Sequence, residues 1–66
     1  MQVTINGEAR QIPDQLSLQE LLRHLNLSED RVAIERNREI VRREHWPEVR
    51  VEAGDHLEIV HLVGGG

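Results

Sequence analysis

The fold is decided by residues 57–66, LEIVHLVGGG, in which a mainly apolar run leads directly into three glycines. Successive side chains of a strand point to opposite faces of the sheet, so Leu57 and Ile59 face one way and Val60 and Leu62 face the other. Apolar residues on both faces are typical of a strand inside a sheet rather than at its edge. We therefore predict that this run, up to Val63, is the central strand, with one face against a core helix.

Val60 and Leu62 lie on the face that the predicted helix does not cover. Two interpretations carry equal weight. Either the two side chains present a surface to a partner protein, or they are simply exposed or covered by a loop.

The first thirteen residues predict a β-hairpin. Apolar and polar residues alternate in residues 2–5, and Asn6-Gly7 is the strongest short hairpin signal before a second strand at residues 8–12. Pro13 ends that strand, because proline has no N–H to donate to a sheet.

A helix of about two turns is expected next. Ser17 and Glu20 have the spacing of a capping box, and Asn26 is suited to a left-handed residue at the helix end. Residues 28–30 predict a turn. The apolar positions that form the buried stripe of this helix are Leu18, Leu21, Leu22 and Leu25.

The second half of the chain predicts strands at residues 32–34 and 39–41, joined by a tight turn at Asn37-Arg38. An ordered loop follows over residues 42–48, held to the domain by Trp46, the only aromatic residue. A further short strand is predicted at residues 49–51, and residues 53–55 turn the chain into the central strand. This order of elements predicts an α+β fold of the β-grasp type, a mixed sheet curled around one helix. We expect the domain to span residues 1–63 and the tail residues 64–66.

Composition excludes several classes of function. A net charge of −4 over 66 residues disfavours a nucleic-acid partner. No apolar run approaches the length of a membrane span, and Met1 leads straight into a strand pattern, so we expect a cytoplasmic protein without a signal peptide. With no cysteine there is no disulfide, thiolate metal site or thiol nucleophile. A labile sulfur could be held only by the terminal carboxylate, as a thiocarboxylate. We expect a monomer when the chain is free.

Gly64, Gly65 and Gly66 form a tether without side chains. Glycine visits both signs of φ, so such a run can thread a channel too narrow for other residues. A frayed terminus or a leftover linker is the ordinary interpretation of terminal glycines. Because an apolar strand leads directly into them, we favour delivery of the Gly66 carboxylate into another protein's active site, with Gly64 and Gly65 threading the channel.

The chain resembles the bacterial thiamin-biosynthesis sulfur carriers, the ThiS family of ubiquitin-like proteins, nearly from end to end. The residues that carry the resemblance are VTINGE at 3–8, NREIVRREHW at 37–46, AGD at 53–55 and the terminal GGG at 64–66. The middle segment is the most specific. Two positions depart from the family pattern: Arg42 stands where proline is usual, and Arg38 where glycine is frequent. The first departure predicts a less rigid loop.

This resemblance implies a carrier rather than an enzyme. A ThiF-type adenylating enzyme would join the Gly66 carboxylate to AMP from ATP, sulfur from a sulfur-donating enzyme would displace AMP, and thiazole synthase would accept the sulfur. ATP would be consumed by the activating partner, and no cofactor would be bound by the carrier itself.

Other groups of polar residues give weaker signals. His56 and His61 are an odd number apart on one strand, which places them on opposite faces, and with His24 and His45 they predict surface histidines rather than a metal site. The acid pairs Glu29-Asp30 and Asp14 with Glu20 lack an accompanying nucleophile and are interpreted as solvated charge. Arg42-Arg43 is interpreted as a solvated loop in preference to a partner contact.

Three alternatives to a thiamin-pathway carrier remain at this point. A carrier for molybdopterin synthesis or tRNA thiolation would share the fold and the tail chemistry. A ubiquitin-like module would bind noncovalently through its sheet and leave the tail idle. A self-contained enzyme is the least supported, since no nucleophile or cofactor motif is present.

Overall fold

The structure is a computed structural model, and it describes residues 1–62. These residues form five strands and one α-helix: β1 (Gln2–Ile5), β2 (Glu8–Gln11), α1 (Leu18–His24), β3 (Val32–Arg36), β4 (Glu39–Val41) and β5 (His56–His61). Two short 3₁₀ helices, Glu29–Arg31 and Arg43–His45, lie in the connections.

The strands make a single mixed sheet in the order β2-β1-β5-β3-β4. β1 and β5 run parallel, while the β1–β2, β3–β4 and β3–β5 pairs are antiparallel. The predicted central position of β5 is confirmed, since it is bonded on both sides. Together with the helix on one face, this is the predicted α+β architecture of the β-grasp type.

Both predicted hairpin turns are present, and each places two residues at positive φ. Asn6 and Gly7 have φ of 51° and 83°, and Asn37 and Arg38 have φ of 50° and 73°. These values belong to the turns that match the right-handed twist of paired strands. Asparagine and glycine take such φ at little cost, whereas arginine does not.

The helix begins and packs as the sequence predicts. The Ser17 hydroxyl accepts from the Glu20 N–H at 3.0 Å, and a Glu20 carboxylate oxygen accepts from the Ser17 N–H at 2.9 Å. The hydrogen bond from the Ser17 backbone N–H is the main cause that holds the pKa of Glu20 below its ordinary value, and hydrogen bonding with the Ser17 side chain is the second. Asn26 takes the expected left-handed conformation, with φ of 60°.

The core lies between α1 and the inner face of the sheet. Three of the four predicted helix leucines are fully buried, and Leu25 at the helix end is partly buried. The buried apolar residues are Val3, Ile5, Ile12, Leu18, Leu21, Leu22, Val32, Ile34, Trp46, Val51, Leu57 and Ile59.

Trp46 secures the connection after β4, as predicted. Its side chain is 3% exposed, and its indole N–H donates to the Val41 carbonyl at 2.9 Å. The loop around it contains the 3₁₀ helix Arg43–His45, which the sequence pattern did not indicate.

The prediction of a strand at residues 49–51 is wrong. Only an isolated antiparallel bridge joins Arg50 to Ser17, flanked by bonds from the Leu18 N–H to the Val49 carbonyl and from the Val51 N–H to the Leu16 carbonyl. The partner segment turns into α1 directly after this bridge, so the pairing has no room to continue.

Smaller differences concern element ends. β2 ends at Gln11 rather than at residue 12, and β3 continues to Arg36. The turn predicted at residues 28–30 is the start of a 3₁₀ helix capped by the Ser28 hydroxyl. Among residues 1–62, no helix combines the length and apolar character needed to cross a membrane.

Candidate functional site at the end of the central strand

The start of β5 is held by a polar cluster around Asp55, which is 6% exposed. One carboxylate oxygen accepts from Arg36 Nε and from the Glu52 N–H, both at 2.8 Å, and the other accepts from Asn37 Nδ2 at 3.1 Å. The Asn37 side-chain oxygen in turn accepts from the His56 N–H at 2.9 Å. This cluster ties the β3–β4 turn to the first residue of β5.

The same cluster sets the charge state of Asp55. Burial acts to raise the pKa of Asp55, but the Glu52 N–H, Arg36 and Asn37 together outweigh it and hold the pKa below its ordinary value. Hydrogen bonding to Asp55 raises the pKa of Arg36. The pair is therefore ionised at neutral pH.

The middle of β5 is held by Asn6. β1 itself pairs with β5 only at its last two residues, Thr4 with His56 and Ile5 with Leu57. Beyond them, the Asn6 side chain bonds both backbone groups of Ile59: Oδ1 accepts from the N–H at 2.8 Å, and Nδ2 donates to the carbonyl at 3.1 Å.

The end of β5 is held by the opposite neighbour. Val32 of β3 pairs with His61, and the Leu62 N–H donates to the Arg31 carbonyl at 2.7 Å. The main chain is thus bonded to the body as far as the last described residue. Val63, predicted to end the domain, and Gly64, Gly65 and Gly66, predicted to form the reactive tail, lie outside the described residues and stay predictions.

Val60 and Leu62 lie on the outer face of the sheet, opposite α1, and are 55% and 54% exposed. No described loop covers them, so a covering loop is excluded, while simple exposure and a partner surface both remain open. Their use as a partner surface stays a prediction. Sequence reasoning missed a third apolar side chain on this face, Ile40 of β4, which is 75% exposed. Only the register shows it, because Ile40 pairs with Glu35, an outward-facing residue.

Two carboxylates share this outer face, called the open face from here on, with the apolar side chains Val60, Leu62 and Ile40. Glu35 and Glu58 are directly opposite each other on β3 and β5, and both are exposed. Like charges at paired positions of a sheet destabilise it slightly. The open face therefore combines apolar and acidic character around the end of β5.

On the inner side of the same end lies a cavity of about 430 Å³. Ile5, Leu25 and Ile59 supply apolar walls, and Arg10, His24 and His61 supply nitrogen-bearing ones. His61 lines this cavity, whereas His56 lines a depression with Gln2 and Thr4, so the two histidines face opposite sides as predicted. Within residues 1–62, no group of three or more histidine, aspartate or glutamate side chains is placed to hold a metal ion.

A mixed sheet over a single helix, with its central strand leading into a glycine run, defines a ubiquitin-like β-grasp protein. A family model described as the ThiS family matches residues 3–66. The crystal structure of the thiamine biosynthesis protein ThiS from Geobacter metallireducens superposes with a TM-score of 0.87 at 32% identity, and the match covers 100% of both chains. The chain belongs to the ThiS family.

Two curated relatives differ in how much of their own length is matched. The sulfur carrier protein ThiS of Bacillus subtilis is 44% identical over 50 residues, which is 76% of each chain. A thiazole synthase of Paramagnetospirillum magneticum is 42% identical over 66 residues, which is all of this chain and 20% of that protein. The chain thus spans about one fifth of the length of the first thiazole synthases that it matches.

Proposed function

We propose that this chain is a sulfur carrier of thiamin biosynthesis, a protein co-substrate that holds sulfur as a thiocarboxylate on Gly66. Membership of the ThiS family supports this function. The structural observation that carries it is the central strand β5, which is bonded to the body through Leu62 and leads into the glycines. A rigid body can then be recognised by partners while its last residues enter their active sites.

The chemistry requires activation, because a carboxylate is anionic and resonance-stabilised and resists attack by a sulfur nucleophile. A carboxylate oxygen of Gly66 attacks the α-phosphorus of ATP and releases pyrophosphate, which leaves an acyl adenylate. A sulfur nucleophile at the oxidation level of sulfide then attacks the acyl carbon, and AMP departs with the electron pair of the broken C–O bond. The adenylating partner, of the ThiF type, supplies the catalytic groups and excludes water.

Thiazole synthase is the proposed acceptor of the sulfur. Support comes from the similarity of this whole chain to one fifth of proteins named thiazole synthase. A carrier domain within the same polypeptide as its acceptor would meet it at a high effective concentration. A separate chain of the same fold would rely on a docking surface instead.

The open face of β5, defined by Val60 and Leu62, is the proposed docking surface. Both side chains are more than half exposed and lie at the point where the chain leaves the sheet. Glu35 and Glu58 beside them favour a partner surface that offers basic as well as apolar side chains. The free chain is proposed to be a monomer in the cytoplasm.

Intact-mass spectrometry tests the proposed function. The full chain is incubated with an adenylating partner, ATP and a sulfur source, with omission of ATP as the control. We expect a mass increase equal to the replacement of one oxygen by sulfur, confined to the C-terminal peptide. An unchanged mass with a partner that loads another ThiS-family carrier would contradict the proposal and favour a noncovalent module.

A further inference from the structure

Asn6 occupies the first hairpin turn, but the turn alone does not require the side-chain amide that an asparagine carries. The turn needs a residue that accepts φ of 51°, and glycine or aspartate would serve there as well. The Asn6 amide, however, bonds both the N–H and the carbonyl of Ile59, 53 residues further along the chain. Glycine offers no side-chain group and aspartate offers acceptors alone, whereas the asparagine amide carries a donor and an acceptor on neighbouring atoms.

We propose that Asn6 is a positioning residue for sulfur transfer, which fixes the geometry of the segment that carries both the docking surface and the tail. The proposal rests on the proposed function. Its basis is the place of Asn6 in the sheet: the Asn6 N–H donates to the Leu57 carbonyl at 2.8 Å, and the main chain then turns away into β2. The side-chain amide continues the ladder by one more residue, in place of the peptide group that β1 no longer supplies.

The bonds from the Asn6 side chain hold β5 close to the residues that form the docking surface. On the β1 side, Asn6 is the last described residue that bonds the strand, and beyond it the strand is held by β3 and Arg31 alone. Ile59 lies directly between Glu58 and Val60 and three residues before Leu62. Movement of the strand at Ile59 would therefore shift both docking side chains and the starting point of the tail.

The expected consequence is a change in recognition rather than in chemistry. If only a fraction of molecules holds this segment in the competent geometry, the apparent affinity for the partner falls by that fraction. Once the tail is seated in the partner, the reacting atoms are unaffected. Loss of the Asn6 bonds should therefore raise KM and leave kcat unchanged.

The test compares Asn6→Gly and Asn6→Asp with a matched control, Asn37→Gly. Asn37 holds the same place in the other hairpin turn, with φ of 50°, and its side chain also bonds the β5 backbone, at the His56 N–H. It acts at the start of β5, away from the tail. Glycine suits the positive φ of both turns, and aspartate keeps the turn and the acceptor at residue 6 but lacks the donor.

Steady-state adenylation is measured with each variant as the varied substrate. For Asn6→Gly we expect KM to rise by a factor of up to about five for each of the two lost hydrogen bonds, at ~1 kcal/mol per bond, with kcat unchanged. Asn6→Asp should change KM in the same direction. Asn37→Gly should keep the wild-type KM even though it lowers stability. Amide hydrogen exchange should show the Ile59 N–H deprotected in Asn6→Gly, which lacks the acceptor, and the His56 N–H deprotected in the control.

Several results would overturn the positioning role. These are a wild-type KM in both Asn6 variants, an equal rise of KM in Asn37→Gly, or a fall of kcat alone. If wild-type chain is not adenylated by a competent partner, the proposed function itself fails. A wild-type chain that is loaded normally, with Asn6→Gly indistinguishable from it, removes only the role of Asn6.

Discussion

Arg36 Nε lies 2.8 Å from the Asp55 carboxylate, and this ion pair joins the end of β3 to the residue that begins the approach to β5. Asp55 is nearly buried, while Arg36 is about one quarter exposed. The Asp55 carboxylate also accepts from the Glu52 N–H and from Asn37, so it lies at the centre of a shared network rather than a simple pair. Its charge should therefore contribute to stability.

The first prediction concerns pH. Because the pKa of Asp55 in the folded chain is held below its ordinary value of 3.8, its contribution is present at pH above that value and is lost as pH falls through the folded pKa. Asp55→Asn should lower the free energy of unfolding by ~1.5–3 kcal/mol at pH 7. Urea unfolding at several pH values should show this difference shrinking below about pH 4. Asp30→Asn, at an exposed position, is the control, and an equal effect there would contradict the prediction.

The second prediction concerns Arg38, whose φ of 73° is strained for a residue with a side chain. Arg38→Gly should raise the free energy of unfolding by ~1 kcal/mol, because glycine adopts this φ without a steric penalty. Thermal and urea unfolding measure the change. The reciprocal variant is Gly7→Ala, where φ is 83° and an added Cβ would meet no atom within 4 Å. Gly7→Ala should lower the free energy of unfolding by a similar amount, through backbone strain alone. A change of the same sign in both variants would contradict the prediction.

The third prediction concerns Arg42, where the ThiS family usually has proline. Arg42 has φ of −69° and ψ of 145°, which proline adopts readily, and no described residue accepts a bond from its N–H. Arg42→Pro should therefore stabilise the fold by ~0.4–1 kcal/mol, chiefly by restricting the unfolded chain. Arg42→Ala is the matched control for loss of the exposed ion pair with Glu44 at 3.4 Å, which should contribute little. Destabilisation by proline relative to alanine would refute this account.

The fourth prediction tests the open face. Replacement of both Val60 and Leu62 by serine should weaken docking to the adenylating partner by ~2 kcal/mol, about thirty-fold, with little effect on folding because both are exposed. Titration calorimetry measures the affinity. Ala9→Ser, at the exposed edge strand β2, is the control. Unchanged affinity of the double variant would show that partners bind elsewhere.

The fifth prediction concerns the tail. Gly65→Val should leave folding intact and suppress adenylation, because a β-branched side chain would not fit a channel shaped for glycine. Intact-mass analysis after incubation with ATP and the partner reports the yield, and circular dichroism confirms the fold. A normal yield of thiocarboxylate from this variant would argue against delivery through a narrow channel.

Local chemistry made much of the fold predictable from the sequence. The Asn6-Gly7 and Asn37-Arg38 turns, the Ser17–Glu20 capping box and the helix stripe depend on residues close in sequence, so short patterns report them. The prediction at residues 49–51 failed because a strand needs a partner of sufficient length, and Ser17 offers a single bridge before the helix begins. Ile40 was missed since its face depends on pairing with Glu35.

The sequence by itself determined where the chain turns, where its helix starts, that the strand containing Leu57 and Ile59 occupies the middle of a sheet, and that glycines follow this strand. Only the tertiary structure decided that Asn6 bonds Ile59 and that Arg36 and Asn37 converge on Asp55. The physical reason is separation along the chain. These partners lie 18 to 53 residues apart, and their meeting depends on strand order and register, which no local pattern encodes.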